Sequence, residues 1–102
     1  MVILLDTKNN IKGVHTVFIG TIDSCVAHPR DIFKLAIKYS AKNIIVSHNH
    51  PSGNTNPSKE DITVTERLVD AGKIIGISLL DHVVIGSGTS KYVSLKEAGY
   101  IK

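Results

Sequence analysis

Hydrophobic residues come in short blocks whose periodicity changes along the chain. Met1-Val2-Ile3-Leu4-Leu5 is an apolar run of strand length, and Asp6-Thr7-Lys8-Asn9-Asn10 is turn chemistry. The stretch from Ile11 to Ile19 can pair back antiparallel, giving a hairpin whose second strand ends at Gly20. His28-Pro29 opens a helix, with proline suited to the first turn, and Ile32, Phe33, Ala36 and Ile37 form its apolar face. Asn43 to Ser47 is a short buried strand, followed by a turn-rich loop over 51–57. A second helix is expected from about Lys59 to Ala71, bounded by Gly72. On a helical wheel its Asp61, Ile62, Thr65, Leu68, Val69 and Gly72 face inward, while Lys59, Glu66, Arg67, Asp70 and Lys73 face solvent. Ile77 to Ile85 is a strand, residues 86–90 a turn, Tyr92-Val93-Ser94 a short edge strand, and Ser94-Leu95-Lys96-Glu97 a terminal helical turn. The alternation predicts an α/β fold: a mixed β-sheet flanked by helices, in one domain spanning residues 1–102 with no repeat or linker.

Composition narrows the class. With 102 residues and 42% hydrophobic content the chain suffices for one compact core and contains no segment able to span a membrane. Its start lacks the basic leader and length of a secretory signal. The single cysteine, Cys25, excludes an internal disulfide and points to a reducing compartment, the cytoplasm; its expected role is a small packed hydrophobe. One cysteine also excludes a zinc deaminase, which needs a Pro-Cys-x-x-Cys run. The net charge of +3 permits nucleic-acid contact, but the basic residues are dispersed, and the aromatic content of 5% supplies no stacking platform. Direct DNA binding is therefore weakly supported.

The candidate chemistry lies where the third strand meets the loop. His48 and His50 are two apart, so on an extended chain they face the same way, and Asp61 opens the inward stripe of the following helix. Two imidazoles and one carboxylate are the ligand set of an open catalytic zinc site. An acidic group on a core-facing stripe is costly unless something positive meets it, and a metal would. A plainer account covers part of the same residues: Ser58 and Asp61 form a capping box, which explains both without a metal but leaves His48 and His50 unexplained. Of the remaining histidines, His82 suits a core or hydrogen-bonding role, His28 borders the first helix, and His15 projects to solvent; none is expected to be a ligand.

The order His48-x-His50, seven residues, Ser58-x-x-Asp61 resembles the JAMM motif of JAB/MPN+ metalloproteases, the superfamily that includes deubiquitinating isopeptidases. The flanks Leu4-Leu5-Asp6-Thr7-Lys8-Asn9, His28-Pro29-Arg30-Asp31-Ile32-Phe33 and Leu79-Leu80-Asp81-His82-Val83-Val84-Ile85-Gly86 resemble the carboxyl-terminal domain of bacterial RadC proteins, over essentially the whole chain. The resemblance implies a JAB/MPN-type fold with a cytidine-deaminase-like three-layer architecture. It also implies zinc held by His48, His50 and Asp61, an oxyanion-stabilising role for Ser58, and a peptide or isopeptide substrate. The JAMM pattern further requires a glutamate on its first strand as general base, and this would fall upstream of Met1; the chain is expected to be a truncated fragment of a longer protein. A positioned general base contributes about 10²–10⁴-fold in rate, so metal binding outlives its loss. The sequence thus predicts a zinc-binding, weakly hydrolytic domain. The alternative is a non-catalytic metal-binding or protein/DNA-interaction module linked to DNA repair. Asp6, Asp23, Asp31 and Asp81 lie near element ends, and none is assigned the role of base.

Overall fold

The computed structural model describes residues 1–15, 29–50, 53–86 and 88–101. Five strands form one mixed sheet in the order β2-β1-β3-β4-β5, with β1 at Val2–Leu5, β2 at Ile11–His15, β3 at Asn43–His50, β4 at Ser78–Gly86 and β5 at Tyr92–Ser94. Helix α1 spans Pro29–Lys38 and α2 spans Lys59–Ile75. The pair β3/β4 is parallel and all other pairings are antiparallel. Parallel neighbours need a crossover, and α2 provides it. The alternation of elements therefore delivers the α/β architecture that the hydrophobic pattern predicts.

The β1–β2 hairpin turns where the polar run lies. Asp6 Oδ1 accepts the Lys8 and Asn10 backbone N–H groups at 2.8 and 2.9 Å, and Asn9 takes φ 62°. The second strand is described only as far as His15; the expectations for 16–19, Gly20, Cys25 and His28 lie outside the described residues. His15 is half-buried rather than solvent-facing, because the Tyr39 ring lies 4.8 Å from its own, centroid to centroid.

One face of the sheet carries Val2, Leu4, Ile44, Val46 and Val84, and Ile32, Phe33 and Ala36 of α1 with Val64 and Leu68 of α2 complete the core beside it. Ile37, expected in that core, is 59% exposed. At about 100° per residue it sits well past Phe33, on the edge of the stripe centred between Ile32 and Phe33. The buried stripe of α2 is also turned slightly from the expected one: Asp61, Val64, Thr65, Leu68 and Gly72 are buried, while Ile62 and Val69 are only half-covered.

Helix α2 does not stop at Gly72. It runs on to Ile75 and ends at Gly76, which takes φ 85° and donates its N–H to Gly72 O at 2.8 Å. Left-handed backbone at this position is what glycine supplies without strain. Gly72 serves a different end: a Cβ there would lie 2.2 Å from the Ile77 carbonyl oxygen, so its hydrogen lets the chain fold back tightly into β4.

Strand β4 contains the irregularity that shapes the site. Ile44 pairs with Leu79, but Ile45 pairs with Asp81, so one extra residue is accommodated at Leu80. Without it Leu79 and Asp81 would share a face and His82 would point away. With it, His82 stands opposite Val46 and is fully buried. Asp81 is held on the other side, accepting from Ser94 Oγ at 2.6 Å and from the Lys96 backbone N–H at 3.2 Å.

Candidate metal centre

The third strand reaches farther than its apolar run, extending through His50, so His48 and His50 both lie on regular strand backbone. Both are half-buried while Asn49 between them is exposed, as alternation requires. Asp61 arrives from the first turn of α2. There Ser58 is the N-cap: its Oγ accepts the Asp61 N–H at 3.1 Å, and Asp61 Oδ2 accepts the Ser58 N–H at 2.8 Å. The capping box is thus present and itself aims the carboxylate. It coexists with the histidine contacts rather than replacing them.

The two imidazoles converge on this carboxylate. His48 Nε2 lies 2.9 Å from Asp61 Oδ1 and His50 Nε2 lies 3.0 Å from Asp61 Oδ2. The two rings stand edge to face, 4.9 Å apart between centroids. Asp61 is 9% exposed, so its charge is largely withdrawn from water.

Hydrogen-bond polarity fixes what these nitrogens carry. His50 Nδ1 is 2.7 Å from the Asn54 carbonyl oxygen, which can only accept; Nδ1 therefore holds a proton, and a neutral ring would leave its Nε2 lone pair toward Asp61. On the other side, the Thr65 hydroxyl donates its one hydrogen to the Asp61 backbone carbonyl at 2.8 Å, so it must accept from His82 Nδ1 at 2.7 Å. Neutral His82 then offers only a lone pair at Nε2, which lies 2.9 Å from His48 Nδ1 and accepts its proton. His48 in turn is left with a bare Nε2 facing the carboxylate. Two lone pairs and one carboxylate directed at one another repel unless a proton on a ring or a metal ion lies among them.

The titration tendencies follow the same logic. Burial, reinforced by His48 next to it, pushes His82 down to about 4 against the opposing pull of Asp61 and Asp81. Burial likewise lowers His48, and the Asp61 charge only partly offsets this. For Asp61 burial works in the opposite direction, but the Ser58 N–H bond and the two histidines outweigh it and hold the carboxyl below its ordinary range. The first turn of a helix also favours an anion at this place. His48 and His82 are therefore inclined to the neutral form and Asp61 to the ionised one, the protonation states that metal ligation needs.

A second grouping shares two of these residues: donor atoms of His48, Asp61 and His82 lie within 4.8 Å of one another. A His-Asp-His cluster that could hold a metal ion is thus present, with His50 beside it on the same carboxylate. The ring nitrogens of His82 are engaged by Thr65 and His48, and those of His50 by the Asn54 carbonyl and the Asp61 carboxylate. Thr65 was legible in the sequence only as an inward helix position, and His82 as a hydrogen-bonding histidine. Their connection to His48 depends on the Leu80 irregularity, which strict strand alternation cannot reveal.

None of the other described carboxylates considered as a base comes to the site. Asp6 closes the β1–β2 turn, next to Leu5, whose partner Asn43 is at the opposite end of β3 from His50. Asp81 is engaged with Ser94, Lys96 and its neighbour's N–H, and Asp31 is exposed on α1. Asp23 lies outside the described residues.

Among known proteins, the family model described as the RadC-like JAB domain matches residues 1–100. Relatives named UPF0758 protein are similar over nearly the full chain. One from Bacillus pumilus is 59% identical over 97 residues, 95% of this chain and 42% of the relative. One from Methanococcoides burtonii is 57% identical over 97 residues, with the same coverage. A third, from Clostridium botulinum, is 55% identical over 100 residues, 98% of this chain and 43% of the relative. The chain therefore spans about two fifths of the length of these curated relatives. With a five-stranded mixed sheet, helices packed on it and the full matched span, this chain belongs to the RadC-like JAB domain family.

Proposed function

We propose that this domain is a zinc-dependent hydrolase of metallopeptidase type, acting on a peptide or isopeptide bond, with His48, His50 and Asp61 as the protein ligands of the metal. The observation that carries the reading is the set of two imidazole Nε2 lone pairs opposed to both oxygens of one carboxylate, at 2.9 and 3.0 Å. Nitrogen and carboxylate donors in this number suit zinc with a position left open. Bound there, the ion would polarise a carbonyl and lower the pKa of a water.

The chain's own residues take the remaining roles. Ser58 Oγ accepts the Asp61 N–H, which leaves its hydroxyl hydrogen to be donated to a developing oxyanion. The capping box fixes both Ser58 and Asp61 relative to the helix axis, so the donor and the carboxylate keep their separation. Thermal or chemical loss of the cap would disturb both at once.

The pairing of β1 with β3 indicates where a general base belongs. Val2 pairs with Val46, Met1 O accepts the Ser47 N–H at 2.9 Å, and the Met1 amine donates to Ser47 O at 2.7 Å. Continued in the same register, the residue just before Met1 would oppose His48, and the third residue before it would oppose His50. Directly opposed residues share a face. A glutamate at either position in a longer chain would present its carboxylate to the site, whereas one at the second position before Met1 would not. A domain with no such carboxylate at the site would bind the metal but hydrolyse little.

The experiment compares this chain with a version extended upstream by the segment bearing that glutamate. Zinc content after purification without chelator, and cleavage of peptide and isopeptide-linked substrates, are measured for both. Zinc in both chains and cleavage only by the extended one, abolished by Glu→Gln at the opposed position, is the expected result. Zinc in both with no cleavage in either supports the second reading, a non-catalytic metal-binding module for protein or DNA association. That reading is favoured by the absence of a second carboxylate at the site among the described residues. Zinc in neither ends both.

A further inference from the structure

We propose that Thr65 and His82 are positioning residues that fix the tautomer and ring orientation of His48, keeping its Nε2 lone pair turned toward the metal position. The inference rests on the metal reading above and extends it to two side chains outside the ligand set proposed there. It stands on a chain of contacts in which each donor is forced by the previous one. The Asp61 carbonyl can only accept, so the Thr65 hydroxyl donates to it at 2.8 Å; the hydroxyl then accepts from His82 Nδ1 at 2.7 Å; His82 Nε2 accepts from His48 Nδ1 at 2.9 Å. Reversing any link would set two hydrogens or two lone pairs against each other at under 3 Å, in a pocket where Thr65 and His82 are both fully buried.

The arrangement is closed on itself. Asp61 supplies a carboxylate to His48 Nε2 at one end and its backbone carbonyl to Thr65 at the other. The residue that would bind the metal thereby also dictates, through Thr65 and His82, which nitrogen of its fellow ligand is bare. The His82 and His48 rings are 4.9 Å apart between centroids and inclined by 49°, so the contact is nitrogen to nitrogen rather than a stack. A ring flip of His48 would lose both this bond and the Asp61 contact. Partners that orient a metal-bound imidazole typically contribute about 10–100-fold in affinity.

Thr65→Val is the decisive variant because it keeps the shape and removes the hydroxyl. His82 Nδ1 would then have no acceptor, and the ring would shift its hydrogen to Nε2 and donate to His48 Nδ1. His48 would be driven to carry its hydrogen on Nε2, the atom required by the metal. His82→Gln is the conservative counterpart, since an amide can still accept from His48 and donate to Thr65. His82→Leu offers neither.

Two readouts test this. The first is the ring tautomer of His48 in metal-free protein by ¹⁵N NMR at pH about 8.5, above the ordinary histidine range. The second is zinc affinity by chelator competition, with thermal melting as a control for folding. Expected are a Nδ1–H tautomer in the native chain, a Nε2–H tautomer in Thr65→Val, and affinity about tenfold weaker in Thr65→Val and at least that in His82→Leu, with partial recovery in His82→Gln. A His48 tautomer unchanged by Thr65→Val, together with affinities within twofold of the native chain, would overturn the proposal even if zinc binds tightly. The tautomer is read without metal, so failure of zinc to bind the native chain would count against the metal reading and leave this test intact.

Discussion

Replacing Asp61 by asparagine separates the two tasks of that residue. The amide oxygen can still accept the Ser58 N–H, so the capping box survives in outline, and the amide N–H₂ can donate to one of the imidazole lone pairs now facing a carboxylate. The metal-free variant is therefore expected to differ from the native chain by no more than about 1 kcal/mol, the scale of a cap or a single net hydrogen bond. Zinc changes the comparison. At a free concentration a hundredfold above the dissociation constant it stabilises the native chain by about 2.7 kcal/mol, which for a domain of this size raises Tm by roughly 10–20 °C. A site weakened a hundredfold would gain only about 0.4 kcal/mol at the same free zinc, a rise of roughly 2–3 °C. The assay is differential scanning fluorimetry or calorimetry over a buffered zinc series, on both proteins, with chelator as the zero point. Equal zinc-induced shifts in Asp61→Asn and the native chain would refute the assignment of the carboxylate as a ligand. A loss of stability well beyond about 1 kcal/mol in metal-free Asp61→Asn would show that the carboxylate's contacts with Ser58 and the two histidines hold the site together without an ion.

Other consequences follow from single contacts. Lowering the pH should destabilise the metal-free protein through His82: its folded pKa is depressed to about 4, so its contribution is complete above the unfolded value near 6.5 and lost as pH falls toward 4, about 3 kcal/mol by urea titration across that window. A flat stability over that range would contradict the buried, neutral ring. Gly72→Ala should cost about 1–3 kcal/mol, because the new methyl meets the Ile77 carbonyl at 2.2 Å and backbone must move; an unchanged urea midpoint would show that the turn into β4 yields freely. Ser58→Ala should cost about 1 kcal/mol in stability through the lost cap and, in an extended active chain, lower kcat by about 10²–10³-fold; a wild-type kcat would remove Ser58 from oxyanion stabilisation.

Much of the fold was legible because local and tertiary preferences agree. The apolar runs at Val2–Leu5 and Ile44–Val46 become central strands, Asp6 to Asn10 turns as its polar residues dictate, and Ser58 begins α2 at the expected residue. His-x-His followed by Ser-x-x-Asp needed only strand alternation and helix phase to bring three side chains together, and both are short-range rules. The misreadings share a cause. Gly72 looked like a helix stop but is a packing contact, and the stop four residues later is set by a left-handed Gly76 that composition alone could not favour over it. Ile37 looked like core because hydrophobicity marks what can be buried, while the neighbour that would cover it is decided by the sheet. The inward turn of His82 depends on one extra residue accommodated at Leu80, and nothing in the run Leu79-Leu80-Asp81-His82 announces which side of the pleat it will shift. No helix among the described residues is long and apolar enough to cross a membrane, in line with the hydropathy of the chain.

Zinc stoichiometry in single-histidine variants tests the centre most directly, because it distinguishes residues that bind the ion from those that orient a ligand. One zinc per native chain, lost in His48→Ala and in His50→Ala but retained more weakly in His82→Gln, is the result expected of a His48, His50 and Asp61 site. Full zinc retention in His50→Ala, with loss in His82→Gln, would contradict it and move the third ligand to the buried ring on β4.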